Sequence, residues 1–239
     1  MTPSSETLLV LGAIGLYLID SWILLYSNEV VFREAYGRWD WSCGSPRQIL
    51  RKNPYLPNPL TPDLLLFRAS WGVSPSGQCE DVQGVLSALG SALAPLRSMV
   101  VILLVLLGLG LPLFVYLQAS SALLFLAIAI YGIGLAIALL LCRRRSALGL
   151  GKRALAELAI EAVLCPPLAL NVVRKITLRR TLIDDPIAFA QHALQRDRFL
   201  ALLAAIEKWI EEELDFEEDG SARREQLHRL RERLGAIQA

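Results

Sequence analysis

Asp20 is the ionisable residue whose position first suggests chemistry. It lies inside the apolar run from Thr7 to Tyr26, where a charge is costly and is kept for a place at the interface, a hydrogen bond between helices, or the handling of a proton or substrate. Glu157 and Glu161 form a second candidate. Spaced by four, they share a helical face with Lys152 or Arg153 in reach, in a stretch that is otherwise apolar and is interrupted by Pro166-Pro167. Together with His192 these carboxylates are the groups that could act on a lipid in a membrane-bound enzyme. The remaining machinery is missing from the sequence. His192 and His228 belong to different predicted helices, no H-x-x-x-H, H-E-x-x-H or Cys/His cluster occurs, and the four cysteines show no C-x-x-C pair. Gly108 and Gly110 fall within an apolar run, and the GLGK at Gly149 to Lys152 lacks the spacing and the Ser/Thr of a phosphate loop. The expectation is no catalytic residue, no metal and no cofactor. A basic cluster without interleaved aromatics also predicts no nucleic acid.

The elements that must position these residues follow from hydropathy and charge. Of the 239 residues 54% are hydrophobic, and the mean hydropathy is +0.44. Much of the excess lies in nearly uncharged runs, which excludes disorder, collagen and small disulfide scaffolds and points to an integral membrane protein. The net charge of +1 hides a segregation: residues 1–141 carry −1, residues 142–180 carry +7 and residues 181–239 carry −5. Three runs have spanning length: Thr7 to Tyr26, Ser98 to Leu117 and Ala122 to Leu141, with Pro112 expected to kink the second.

Arg143, Arg144, Arg145, Lys152 and Arg153 follow the third run, whereas the turn at Gln118 to Ser121 is uncharged. The third run should therefore exit on the cytoplasmic side, with the N-terminus outside. Ala154 to Val173 has basic residues at both ends, including Arg174, Lys175, Arg179 and Arg180. Crossing would carry those cations outside, so an interfacial or re-entrant segment on anionic headgroups is expected instead. In the first loop, NEVVFREAYGRWDW is read as a helical extension bearing an aromatic belt of Tyr26, Phe32, Tyr36, Trp39 and Trp41. The prolines 46, 54, 57, 59 and 62 imply extended chain, and TPDLLLFRASWG a short helix on the membrane. A Cys43 to Cys79 disulfide is disfavoured in a cytoplasmic loop.

The tail reads as two amphipathic helices. Asp184, Asp185 and Pro186 start the first, whose stripe is Phe199, Leu203, Ile206, Ile210 and Leu214; after a break at 219–221 the second carries Leu227, Leu230, Leu234 and Ile237. They should form an antiparallel hairpin, and what the first stripe leaves uncovered should meet a partner.

The architecture expected is all-α and polytopic, with three transmembrane helices. Its parts are an N-terminal tail and span (1–26), a Pro-rich cytoplasmic loop with short helices (27–97), a transmembrane hairpin (98–141), a basic juxtamembrane segment (142–183) and a cytoplasmic helical hairpin (184–239). The function expected is a scaffold or accessory subunit of a bacterial inner membrane, touching anionic lipids and a protein partner or second copy. An oligomeric transporter or channel component, or a lipid-modifying enzyme, is the alternative.

Overall fold

The structure, a computed structural model, is described for residues 5–35, 37–45, 47–71, 82–118, 120–216 and 221–238. It divides into two compact units. The first comprises Met1–Ile23, Leu56–Leu65 and Gln83–Arg179; the second comprises Leu24–Tyr55, Leu66–Val82 and Arg180–Ala239.

The first unit is helical. Helix α1 (Ser5–Asp20) is 16 residues long, about 24 Å at 1.5 Å per residue. The run from Thr7 to Tyr26 does not continue as one helix because Asp20 and Ser21 are engaged elsewhere and the chain passes into a strand. The expectation of three spanning helices is therefore corrected: among the described residues two helical stretches, Gly84–Tyr116 and Ser120–Arg143, are long and apolar enough to cross a membrane. Their most apolar windows are only 17% and 28% buried, so they present apolar faces outward rather than forming a covered core.

The first stretch is α2 (Val82–Val105), a π-helical turn (Leu106–Gly110) and α3 (Leu111–Tyr116). It starts well before Ser98 and tolerates Pro95. The π turn precedes Pro112, whose missing N–H disrupts the regular hydrogen-bond ladder, so the expected perturbation takes the form of a bulge. After α4 (Ser120–Arg143), α5 (Lys152–Leu164) packs back along it. A Cβ on Gly134 would collide with the carbonyl oxygen of Ala162, so glycine at this position is what permits the close approach. Short helices α6 (Pro166–Ala169) and α7 (Val172–Leu178) then return. Ion pairs join Glu161 to Lys175 and Glu157 to Arg179, as expected for α5 and α7 running in opposite directions.

The second unit overturns the all-α expectation. Strands β1 (Ile23–Leu25) and β4 (Asn53–Tyr55) form one sheet, and β2 (Glu29–Ala35), β3 (Arg38–Ser42) and β5 (Leu65–Ser70) form another in the order β3-β2-β5. The segment expected as a helical extension is thus the antiparallel β2–β3 hairpin, in register from Val31 opposite Ser42 to Ala35 opposite Arg38, with Gly37 at φ 75°. Val30, Val31 and Phe32 are fully buried; β-branched and aromatic side chains fit a covered sheet better than a helix turn. The LLLF run expected in a membrane-lying helix enters β5 at Leu65, with Leu66 and Phe67 both at 0% exposure. Burial on both faces removes the alternation that would have marked it as a strand.

The tail expected as two helices is described as three, α8 (Pro186–Ala193), α9 (Arg196–Phe216) and α10 (Ala222–Gln238), because Leu194 takes an extended backbone and separates the helix that Asp185 caps from the one that carries the stripe. Asp185 caps α8, accepting from the N–H groups of Ile187 and Ala188. Phe189 meets Phe32 and Trp39 edge-on, with ring centroids 5.1 and 5.0 Å apart, and Trp71 meets Trp209 at 6.2 Å. Helices α9 and α10 pack together with Arg223–Glu213 and Arg231–Glu211 pairs across them. The expected break at residues 219–220, Tyr36 and Cys79 all lie outside the described residues.

Candidate functional site

The first unit gathers residues from distant parts of the chain at the carboxyl end of α1. Lys175 Nζ lies 2.8 Å from Asp20 Oδ1 and 2.7 Å from Glu161 Oε2, bridging the two carboxylates. Asn171 Nδ2 donates to Asp20 Oδ2 at 3.0 Å, and the Ser21 hydroxyl donates to the Tyr17 carbonyl at 2.7 Å, which ends α1. Arg174 is 2% exposed; its Nη2 donates to the carbonyls of Asn58 and Thr61 at 2.6 and 2.7 Å, and its Nη1 to Asn171 Oδ1 at 3.3 Å. The Tyr17 hydroxyl donates to the Pro59 carbonyl at 2.5 Å. This network ties α1, α5, α7 and the 58–61 turn together.

Of the carboxylates singled out from sequence, Asp20 and Glu161 thus share one cation, while Glu157 stands apart. It accepts from Arg153 Nε at 3.1 Å and Arg179 Nη2 at 3.0 Å, hydrogen bonds that hold its carboxyl below the ordinary range. Asn171, Ser21, Tyr17 and the 58–61 carbonyls were not anticipated. The available signal was a lone amide in the apolar stretch LALNVV, since a buried amide needs partners.

Pro166 and Pro167 form the tip of the excursion made by α5 and α6. They line an apolar cleft of about 570 Å³ together with Leu9, Gly12, Leu16, Leu111, Leu123 and Tyr131. Tyr131 lies at the middle of α4, so the tip reaches that depth. A second cleft of about 210 Å³ extends toward Tyr17, Pro59 and Leu60, and Ala13, Leu107 and Pro167 line both. Walls so largely apolar suit hydrocarbon better than a hydrated ion.

The basic set expected at the membrane surface divides. Arg143, Lys152 and Arg153 are exposed, Arg180 is half-buried, Arg144 donates to the Ala92 carbonyl at 3.0 Å, and Arg145 to the Leu150 carbonyl at 3.0 Å. Arg174 and Lys175 are committed to the network. A similar correction applies to the expected partner stripe. Leu203, Ile206 and Ile210 are at 0% exposure, and Phe199 and Leu214 are half-buried, because α8, α10 and β3 all pack on α9.

In the second unit Asp40 receives Arg33 and Arg198, and the Trp41 indole donates to the Arg198 carbonyl at 2.8 Å. Burial would raise the Asp40 carboxyl, but hydrogen bonds from Arg33, the Trp41 backbone and Arg198 outweigh it and hold it below the usual carboxylate range. Burial pushes the Cys43 thiol up to about 12. Cys43, Cys142 and Cys165 are free thiols. His192, in this unit, bonds through Nδ1 to the Ala188 carbonyl at 2.8 Å. Among the described residues no group of three His, Cys, Asp or Glu side chains gathers as a metal site. Comparisons with protein-family profiles, curated proteins and solved structures give no match.

Proposed function

We propose that the chain is an integral membrane scaffold or accessory subunit that presents its α9–α10 hairpin, on the cytoplasmic side, to a protein partner or a second copy. The carrying observation is that Lys175 bridges Asp20 and Glu161 while Asn171 and Arg174 fasten the neighbouring chain. A site that handles protons or substrates keeps a group available to them; this one is committed to joining segments far apart in sequence. The two apolar helices are compatible with membrane insertion. The arginines at the end of α4 and the uncharged turn at its start favour a cytoplasmic C-terminus, in a bacterial inner membrane. Exposed cations such as Arg143, Lys152 and Arg153 suit anionic headgroups. With the α9 stripe buried, what the hairpin offers a partner is its charged outer face and the exposed Leu200 and Phe216.

The test is the neutral pair Asp20→Asn with Lys175→Met in the full chain. A structural tie predicts retained membrane insertion, a 56–65 segment newly open to protease, and loss of any assembly larger than the 26.4 kDa chain in detergent. A variant that keeps both its protease resistance and its assembly contradicts the reading. The second reading, an oligomeric transporter or channel component, draws support from the proline tip that reaches the middle of α4 beside the clefts. Their apolar lining makes it the weaker one. The lipid-enzyme reading needs His192 beside carboxylates that belong to the other unit.

A further inference from the structure

Between Ile49 and Lys52 the chain reverses in two residues. Ile49 N–H donates to the Lys52 carbonyl at 2.8 Å and Lys52 N–H to the Ile49 carbonyl at 3.0 Å. Leu50 and Arg51 between them take φ of 53° and 61°, the left-handed pair of a type I′ turn, where Asn-Gly is the ordinary solution. Here those positions hold a leucine and an arginine instead, and the leucine is 86% exposed, with Ile49 at 46%. Arg47, Arg51 and Lys52 flank this apolar point in sequence, the two arginines exposed and the Lys52 ammonium 4.3 Å from the centre of the Tyr26 ring, and residues 41–62 contain no carboxylate.

We infer that this turn is a membrane-docking tip, which places Ile49 and Leu50 among the acyl chains of an anionic bilayer while Arg47, Arg51 and Lys52 meet its headgroups. The inference rests on the membrane reading above. An exposed apolar point flanked by cations is the chemistry of interfacial anchoring, and each cation near an anionic surface favours the docked state by about fivefold. An acidic protein would match the cations but leave Leu50 without a hydrophobic contact, so the lipid is the better complement.

The experiment places a photoreactive benzoylphenylalanine at position 50 or, separately, at position 135 of the full chain. Leu135 is 53% exposed on α4 and reports the membrane reading itself. Each protein is reconstituted in vesicles of phosphatidylcholine alone or in an equal mixture with phosphatidylglycerol, and adducts are read by mass spectrometry. Position 50 should give lipid adducts in the anionic mixture. Their yield should fall roughly tenfold or more in neutral vesicles, or when Arg47, Arg51 and Lys52 are all replaced by Gln. Position 135 should label lipid in every case. Lipid labelling at 135 with none at 50, with protein adducts only at 50, or with labelling at 50 indifferent to charge would overturn the docking tip and leave the membrane reading standing. Absence of lipid adducts at both positions would overturn both.

Discussion

Removing the Lys175 ammonium leaves Asp20 and Glu161 facing one another across a site that is less than a third exposed at each group. Breaking a buried pair by deleting one partner costs roughly 3–5 kcal/mol, and partial solvation here reduces that to about 1–3 kcal/mol. Lys175→Met should therefore lower the denaturation midpoint more than Asp20→Asn with Lys175→Met does; equal losses would show that the cation does not act by bridging. Asp40 gives a pH dependence. Its carboxyl is depressed in the folded chain, so its contribution is present above the unfolded value of about 3.9 and is lost as pH falls below that through the folded value. The stability gap between the parent and Asp40→Asn should be constant near neutrality and close only below about pH 4, as followed by thermal unfolding. At the turn, left-handed φ costs Leu50 and Arg51 on the order of 1 kcal/mol each. Leu50→Asn with Arg51→Gly should raise the unfolding temperature while removing the tip's apolar side chain. A drop in that temperature would mean the two native side chains hold the turn through contacts of their own.

At the scale of elements, the α4–α5 contact and the α9 stripe make separate claims. Because a Cβ at Gly134 would collide with the Ala162 carbonyl, Gly134→Ala must shift one helix, a cost of about 1–3 kcal/mol. It should also open the proline tip, seen as faster maleimide modification of Cys165, which lines the cleft. Unchanged Cys165 reactivity would mean the helices slide without moving the tip. In α9, Leu203 is wholly buried, and in α10 Leu227 is 3% exposed. Either residue changed to Ala should cost about 2–5 kcal/mol and lower helicity in the tail while leaving membrane insertion intact. The same substitutions would be nearly silent in the isolated chain if these side chains were held for a partner.

For the whole molecule, the helical stretches Gly84–Tyr116 and Ser120–Arg143 supply the apolar surface, and the second unit carries the five described strands and α8–α10. The apolar runs, the uncharged turn, the basic flank of α4, the Asp185 cap and the stripes of α9 and α10 were legible from residue types alone, since each depends on composition or on a period of 3.6 within one segment; the break between α8 and α9 was not. The strands were not. In the first loop, Val30 to Phe32 and Leu65 to Phe67 are buried on both faces and lack alternation, so a strand and a short buried helix look the same until a neighbouring strand supplies the hydrogen bonds. The length of α1 was decided in the same way. Nothing within Thr7 to Tyr26 forbids a full spanning helix except Asp20, and what stops it there is Lys175 and Asn171, some 150 residues away. Periodicity and charge order describe what one segment can do by itself. Which carboxylate shares a cation, which stripe is already covered and where a helix ends depend on partners brought together only by the folded chain.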